Sequence, residues 1–119
     1  MAHEREITQE MRQCIQDCLD CAAICTETVN HCLTLGGKHS EASHVRTMMD
    51  CATICAESAG FMLRASEHHT RVCDVCAEIC RSCAESCQRI AGGDQTMLRC
   101  AEICRSCADS CRRMAMAVA

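Results

Sequence analysis

The stretch CAEICRSCAESC, residues 76–87, places four cysteines in twelve residues with no proline, glycine or aromatic side chain among them. It is part of a larger pattern. Sixteen cysteines stand at Cys14, Cys18, Cys21, Cys25 and Cys32; at Cys51 and Cys55; at Cys73, Cys76, Cys80, Cys83 and Cys87; and at Cys100, Cys104, Cys107 and Cys111. Within the dense groups the steps are three and four residues. Side chains so spaced stack along one face of an α-helix, the face that a bundle turns toward its axis. Thiols on such a face have three uses: packing, disulfide exchange and binding of soft metal ions.

Packing alone is a poor reason for a whole stripe, because Leu or Ile at the same places would bury more apolar surface. Disulfides within one helix are excluded by geometry, while pairs between helices stay open. Residues three or four apart have Cβ atoms about 5–6 Å apart, whereas a disulfide needs about 3.8 Å. Metal binding remains. A structural zinc site closes around four ligands, usually on a knuckle or turn. The iron–sulfur run C-x2-C-x2-C-x3-C-P needs loop geometry and a proline that this chain lacks. Continuous helical stripes give no separate four-ligand cages. They give many thiolate pairs, which suit a soft ion such as Cu(I). With each ion held by two thiolates and each thiolate shared by two ions, sixteen cysteines set a ceiling of about sixteen ions. Such a row is a store and not a catalytic centre.

Long segments without helix breakers position these stripes. Gly36–Gly37 and Gly92–Gly93 mark two joints, followed by Ser40 or Ser43 and by Asp94 as candidate helix caps. A softer joint lies at Glu67–Thr70, with Thr70 as its candidate cap. The spacing predicts four helices, near 5–35, 41–67, 70–91 and 95–117. Strand signals are absent, and short connections predict an all-α, antiparallel up-down four-helix bundle with a Cys-lined core, as a single domain over 1–119. A repeat supports this reading: CAEICRSCAESCQRIA (76–91) recurs as CAEICRSCADSCRRMA (100–115), and CAAIC and CATIC echo it at 21–25 and 51–55. Ile24, Ile54, Ile79 and Ile103 then flank the stripes and seal neighbouring helices. Ala22, Ala52, Ala77 and Ala101 flank the other side and permit close approach, while Glu, Arg and Ser face water. On the second helix, Met48, Ala59 and Met62 continue the stripe around its two cysteines.

Composition limits the alternatives. The chain has eight Met but one Phe and neither Trp, Tyr nor Pro, and its net charge of −4 is spread in alternating signs. No basic block offers itself to nucleic acid or to a membrane surface. No run approaches the roughly 18 apolar residues that a membrane span needs, and the first residues lack a signal-peptide core. A cytosolic location is expected, where thiols stay reduced and a Cys-rich chain more often holds metal than disulfides.

A bundle whose core is filled from C-x3-C and C-x2-C stripes resembles the bacterial copper storage proteins, in particular the cytosolic type, over essentially the whole chain. The resemblance implies binding of multiple Cu(I) ions by all sixteen cysteines, a homotetramer, and a role in copper homeostasis with a copper chaperone or chelator as exchange partner. It leaves the sparse second helix as the place where the row is interrupted. Family members use Met or His at a bundle mouth for copper to pass in. In an up-down bundle His31, His39, His44, Met48 and Met97 gather at one end, and Met48, Met97 and His44 become the candidates. Met11, Met62, His68, His69, Met114 and Met116 gather at the other. Glu41 and His44 also form a Glu-x-x-His pair of the kind used by di-iron bundles, but the further inward Glu residues of such a site are missing. No Ser-His-Asp order, phosphate loop or Cys–His nucleophile pair can be assigned, so no enzymatic activity is expected. Two other readings stay open from the residues themselves: a zinc or iron–sulfur regulatory module, and a thiol redox buffer.

Overall fold

A computed structural model of the protein describes residues 6–116. It contains four long helices: α1 (Gln9–Leu35), α2 (Ala42–Leu63), α3 (His69–Ala91) and α4 (Gln95–Met116), with a short 3-10 turn at Gly37–Ser40 between the first two. There is no strand among the described residues. Each helix packs on its two sequence neighbours, α4 closes back onto α1, and the diagonal pairs α1–α3 and α2–α4 meet only across the axis through their thiols, as in Cys25–Cys83 and Cys55–Cys107, each at 3.9 Å. This is the up-down-up-down bundle expected from short connections, drawn out into a rod of 54 × 18 × 17 Å.

The helix ends differ in detail from the sequence reading. Helix α1 begins at Gln9 and not near residue 5, because the Thr8 hydroxyl accepts the Met11 amide at 3.1 Å and caps it. Neither Ser40 nor Ser43 caps α2. The cap position is Glu41, whose side chain makes no capping bond. Thr70 lies inside α3, one residue after its start, and His68 takes the cap position. Asp94 does cap α4, its carboxylate accepting the Met97 amide at 2.9 Å. Residue 117, placed in the last helix by the spacing, lies outside the described residues.

The two glycine joints are glycine for a backbone reason. Gly36 (φ +72°), Gly37 (φ +58°) and Gly92 (φ +62°) all sit in the left-handed region that side chains disfavour. The joint between α2 and α3 contains no glycine, and there Ala65 takes φ +51°. That strain, about 1–2 kcal/mol for a residue with a Cβ, is why this joint was the least legible of the three.

All sixteen cysteines are fully buried and free. The core therefore consists of thiols along the axis, with Met48, Met97, Met11, Met62 and Met114 toward the ends. Ile24, Ile54, Ile79 and Ile103 are half-buried against this core, as their flank positions require. The alanines divide. Ala77, Ala84, Ala101 and Ala108 are buried where α3 meets α4, whereas Ala22 and Ala52 are only partly covered between α1 and α2. The repeated sequence thus gives the tightest helix pair, in which a small side chain at each crossing lets the backbones approach.

Candidate metal centre

Periodicity turns each helix's thiols inward, and the bundle then interleaves them. Cys25 meets Cys104 at 3.6 Å, Cys21 meets Cys51 at 3.8 Å, Cys55 meets Cys80 at 3.5 Å, and Cys18 meets Cys111 at 3.5 Å. These contacts are rungs, each joining two different helices. Successive rungs are linked in turn: Cys21 to Cys104 at 3.7 Å, Cys51 to Cys80 at 3.7 Å, Cys55 to Cys76 at 3.7 Å, and Cys107 to Cys18 at 3.7 Å. Cys83 and Cys100 extend the ladder one way through Cys25, each at 3.9 Å, and Cys14 extends it the other way through Cys111 at 3.8 Å.

Four-thiol groups consequently overlap along the axis. Cys25–Cys83–Cys100–Cys104 shares Cys25 and Cys104 with Cys21–Cys25–Cys51–Cys104. That group shares Cys21 and Cys51 with Cys21–Cys51–Cys55–Cys80, which shares Cys55 and Cys80 with Cys55–Cys76–Cys80–Cys107; Cys18–Cys76–Cys107–Cys111 follows. No group is a closed cage of its own, because each lends a pair to the next. The spacing itself fits a metal. With metal–sulfur bonds of about 2.3 Å, sulfurs stand about 4.6 Å apart in a linear pair, about 4.0 Å in a trigonal site and about 3.8 Å in a tetrahedral one. Neighbouring sulfurs here lie 3.5–4.0 Å apart, so three-coordinate bridging needs almost no movement and two-coordinate binding needs a slight opening.

Hydrogen bonding among the thiols, together with burial, divides their acidities. Cys25, Cys80 and Cys104 are pushed up, first because they hold their protons in bonds toward Cys100, Cys107 and Cys100. Cys18 and Cys100 are pushed down, first through the bonds that they share with Cys107 and Cys104. Among the described residues no Lys or Arg is buried with the thiols. The empty ladder therefore keeps most of its protons, and a cation entering it must displace them.

The two ends of the ladder differ. At the end formed by the C-terminus of α1 and the start of α2, Cys32 stands apart from the other sulfurs, since Thr28 occupies the stripe position between it and Cys25. The Thr28 hydroxyl donates to the Ile24 carbonyl at 2.6 Å and so buries no unmet polar group. Cys32 instead meets His44 Nε2 at 3.6 Å, and His44 Nδ1 lies 2.7 Å from Ser86 Oγ. Burial, with Arg89 adding to it, holds the His44 imidazole below its ordinary pKa, hence neutral; burial, with Asp94 adding to it, pushes the Cys32 thiol up to about 11. The 3-10 turn folds over this end and sets His39 Nδ1 3.1 Å from the buried Met97 sulfur. His31 joins Asp94 at 2.8 Å nearby. The structure thus brings His44, Met48 and Met97 to one end, all fully buried. At the opposite end Ser58 Oγ lies 3.4 Å from Cys73 Sγ, beneath Met62.

Two expectations are corrected. The interruption of the row falls on α1, at Thr28, and not on α2, whose Cys51 and Cys55 form central rungs. Nor do all the serines face water: Ser86 and Ser110 are buried. Besides Thr28, the sequence reading missed Ser86 at this end. Its position three residues after Cys83 carries the signal, because the spacing that turns Cys83 inward turns Ser86 inward as well.

A family model described as copper storage protein matches residues 7–116. Among solved structures, a protein from Nitrosospira multiformis is 48% identical, with TM-score 0.84 over 90% of this chain and 95% of that one. A Cu(I)-bound copper storage protein is 32% identical, with TM-score 0.83 over 90% and 99%. A cytosolic copper storage protein from Streptomyces lividans carrying five coppers is 31% identical, with TM-score 0.86 over the full length of both chains. A search of curated protein sequences returned no match.

Proposed function

The chain belongs to the copper storage protein family, and we propose that it stores and sequesters multiple Cu(I) ions on the thiolates of its core, with all sixteen cysteines as ligands. The observation that carries this reading is the continuous ladder of buried thiols, each within bridging distance of the next, with Cys32 beyond its end beside His44. Electroneutrality sets its natural filling. Net charge in a dry core is costly, and one Cu(I) for each proton released leaves none, so the ladder fills toward about one ion per thiol, about sixteen in all. Each ion bound displaces about one proton. Ladders of this kind also disfavour a single closed zinc site, which would leave most thiols unused.

Copper passes in, on this reading, at the end where the donors are mixed. Met97 with His39 lies outermost, Cys32 with the neutral His44 comes next, and the thiol rungs follow, with Met48 beside them. Neutral donors lower the cost of a lone cation before thiolates neutralise it. The exchange partner is a copper chaperone or small chelator. The role is non-enzymatic, in keeping with family membership, and it needs neither nucleic acid nor a membrane; no helix among the described residues is long and apolar enough to cross one. The Streptomyces lividans relative is described as cytosolic, which supports a cytoplasmic store, and the family resemblance supports a homotetramer.

Anaerobic titration of the fully reduced protein with Cu(I), against a competing chromogenic chelator, tests the function. Saturation near sixteen equivalents is expected; saturation at one or two refutes storage. A stopped-flow comparison tests the route. His44→Ala slows the first phase of loading by about tenfold and leaves the final capacity unchanged; an unaltered rate removes His44 from the path.

A further inference from the structure

The thiol ladder holds electrons as well as protons. Four of its rungs share no residue: Cys18–Cys111 and Cys55–Cys80 at 3.5 Å, Cys25–Cys104 at 3.6 Å and Cys21–Cys51 at 3.8 Å. Each joins two helices, so the limit that keeps thiols of one helix from bonding does not apply. Closure to an S–S bond of about 2.05 Å asks each sulfur to move by less than about 1 Å. These rungs use eight of the sixteen cysteines and leave four thiols toward each end of the rod. The mixed-donor end, meanwhile, carries groups that Cu(I) does not need. Asp94 Oδ2 meets His31 Nε2 at 2.8 Å, both partly exposed, while Asp94 Oδ1 holds the Met97 amide at 2.9 Å. The Met97 sulfur in turn lies 3.1 Å from His39 Nδ1. Two imidazoles and a carboxylate thus gather around one methionine. Imidazole and carboxylate suit Cu(II), whereas thioether and thiolate suit Cu(I). The nearest thiols are close behind: Cys32 follows His31 in the chain, and Cys100 stands about 9 Å along α4 from Asp94.

We propose that the reduced protein also takes up Cu(II), binding it first at His31, Asp94 and His39 and reducing it with its own rungs. The proposal rests on the storage reading above for the fate of the Cu(I) that forms. One rung serves two ions. Two Cu(II) and two thiols give one disulfide, two Cu(I) and two protons: both S–H bonds break, an S–S bond forms, each copper gains one electron, and the protons leave to water. A disulfide formed near the open end moves inward by thiol–disulfide exchange, in which a thiolate attacks a disulfide sulfur. Neighbouring sulfurs 3.5–4.0 Å apart are placed for that attack. Each Cu(I) then takes a remaining thiol and displaces its proton. The stoichiometry closes on the geometry. Four rungs supply eight electrons, and the eight Cu(I) so made meet the eight thiols that the rungs leave over. Each rung acts once, so this is uptake and not turnover, and an added thiol reductant restores the rungs. Reduction beside the ladder also means that Cu(I) is handed to sulfur without passing through water.

Anaerobic titration of the reduced, reductant-free, full-length protein with Cu(II), added as its glycine complex, tests the inference. Copper should lose its electron paramagnetic resonance signal up to about eight equivalents, half the Cu(I) capacity, and keep it thereafter. About two protons should leave per Cu(II), where Cu(I) displaces about one. Peptide mapping should find the four rungs linked. His31→Ala should slow the loss of the Cu(II) signal about tenfold and leave the Cu(I) capacity near sixteen. Cys55→Ala with Cys80→Ala removes one rung and should lower Cu(II) uptake to about six equivalents. Cu(II) that keeps its signal beside sixteen intact thiols overturns the reduction and leaves Cu(I) storage standing. Disulfides formed by Cu(II) in a protein that saturates with one or two Cu(I) overturn the storage reading and not the reduction. Disulfides at other pairs, or between chains, overturn the assignment to the rungs. An unchanged rate in His31→Ala overturns the binding place.

Discussion

Replacing Cys55 and Cys80 together by alanine removes one whole rung from the middle of the ladder. Their sulfurs lie 3.5 Å apart, and the pair belongs both to Cys21–Cys51–Cys55–Cys80 and to Cys55–Cys76–Cys80–Cys107. With the rung gone, the contact between Cys21 and Cys107 is what joins the upper part of the ladder to the lower. With one ion per remaining thiol, capacity falls from about sixteen to about fourteen. Connectivity changes far more than capacity. On the Cys32–His44 side of the gap stand eight thiols (Cys21, Cys25, Cys32, Cys51, Cys83, Cys87, Cys100 and Cys104), and beyond it six (Cys14, Cys18, Cys73, Cys76, Cys107 and Cys111). If ions enter at the mixed-donor end and move by exchange between bridging thiolates, the near eight fill at the wild-type rate. The far six then wait on slower passage through the single Cys21–Cys107 contact. Rapid-mixing experiments with a Cu(I)–chelator complex should thus show two phases, of about eight and about six equivalents, where wild type shows a continuous filling. Each substitution also vacates a fully buried sulfur, at about 1 kcal/mol or somewhat more, so the apo variant melts earlier but stays helical. A single phase that reaches fourteen equivalents at the wild-type rate would refute the relay, because ions would then have another way in. A capacity far below fourteen would refute the near one-to-one filling from which the argument starts.

Three further outcomes follow from the fold. Ala65→Gly should stabilise the apo protein by about 0.5–1 kcal/mol, since relief of the left-handed φ outweighs the extra freedom of the unfolded chain; chemical denaturation reads this directly. Ala84→Leu should destabilise by about 1–3 kcal/mol, because this side chain is 1% exposed in the close α3–α4 contact and a larger one must push the helices apart. Asp94→Ala should cost about 1 kcal/mol at neutral pH through loss of the α4 cap. Burial works against ionisation of Asp94, but the Met97 amide and His31 together hold its carboxyl below the ordinary value of 3.8. A carboxyl held low in the fold contributes stability above pH 3.8 and loses it as pH falls through the folded value. The gap between wild type and variant in denaturant midpoints should therefore close below pH 3.8 and stay constant from pH 5 to 7.

Much of this architecture was legible in the sequence, and the boundary of legibility is physical. The inward stripes follow from the three-and-four spacing alone, because a single helix's period fixes which side chains share a face. Two of the three joints follow from glycines whose positive φ no other residue adopts cheaply. What stayed hidden depends on how helices are rotated and shifted against each other. That Cys55 pairs with Cys80 and not with Cys76 alone, or that Cys32 finds His44 and no thiol, is decided by the axial offset of α1, α2 and α3. The period of any one helix carries no record of that offset. Ser86 is a different failure. Its spacing from Cys83 was readable, and the habit of placing serine in water overrode it. Ala65 is a third kind, a strained residue where a turn closes without the residue that would suit it.

The sulfur core also settles what the bundle is for. An unfolded chain keeps all sixteen thiols and can bind Cu(I) through them, so affinity per thiol gives the fold no advantage by itself. The advantage has to come from what folding adds. It adds spacing, since sulfurs already 3.5–4.0 Å apart bridge ions without the ordering cost that an open chain incurs. It adds dryness, since every thiol is fully buried and water cannot compete for the metal or promote its oxidation along the sides. On the proposed route it also restricts exchange to the end where His44 and Met97 are neutral donors and the 3-10 turn folds over the bundle. A core built from thiols gives up the apolar burial that Leu or Ile would provide, and the flanking isoleucines and the α3–α4 alanines make up only part of it. Loading should accordingly stiffen the protein more than it reshapes it. The ions tie α1 to α4, α2 to α1 and α3 to α2 through the rungs, and the cross-links replace cohesion that the empty core was not built to supply.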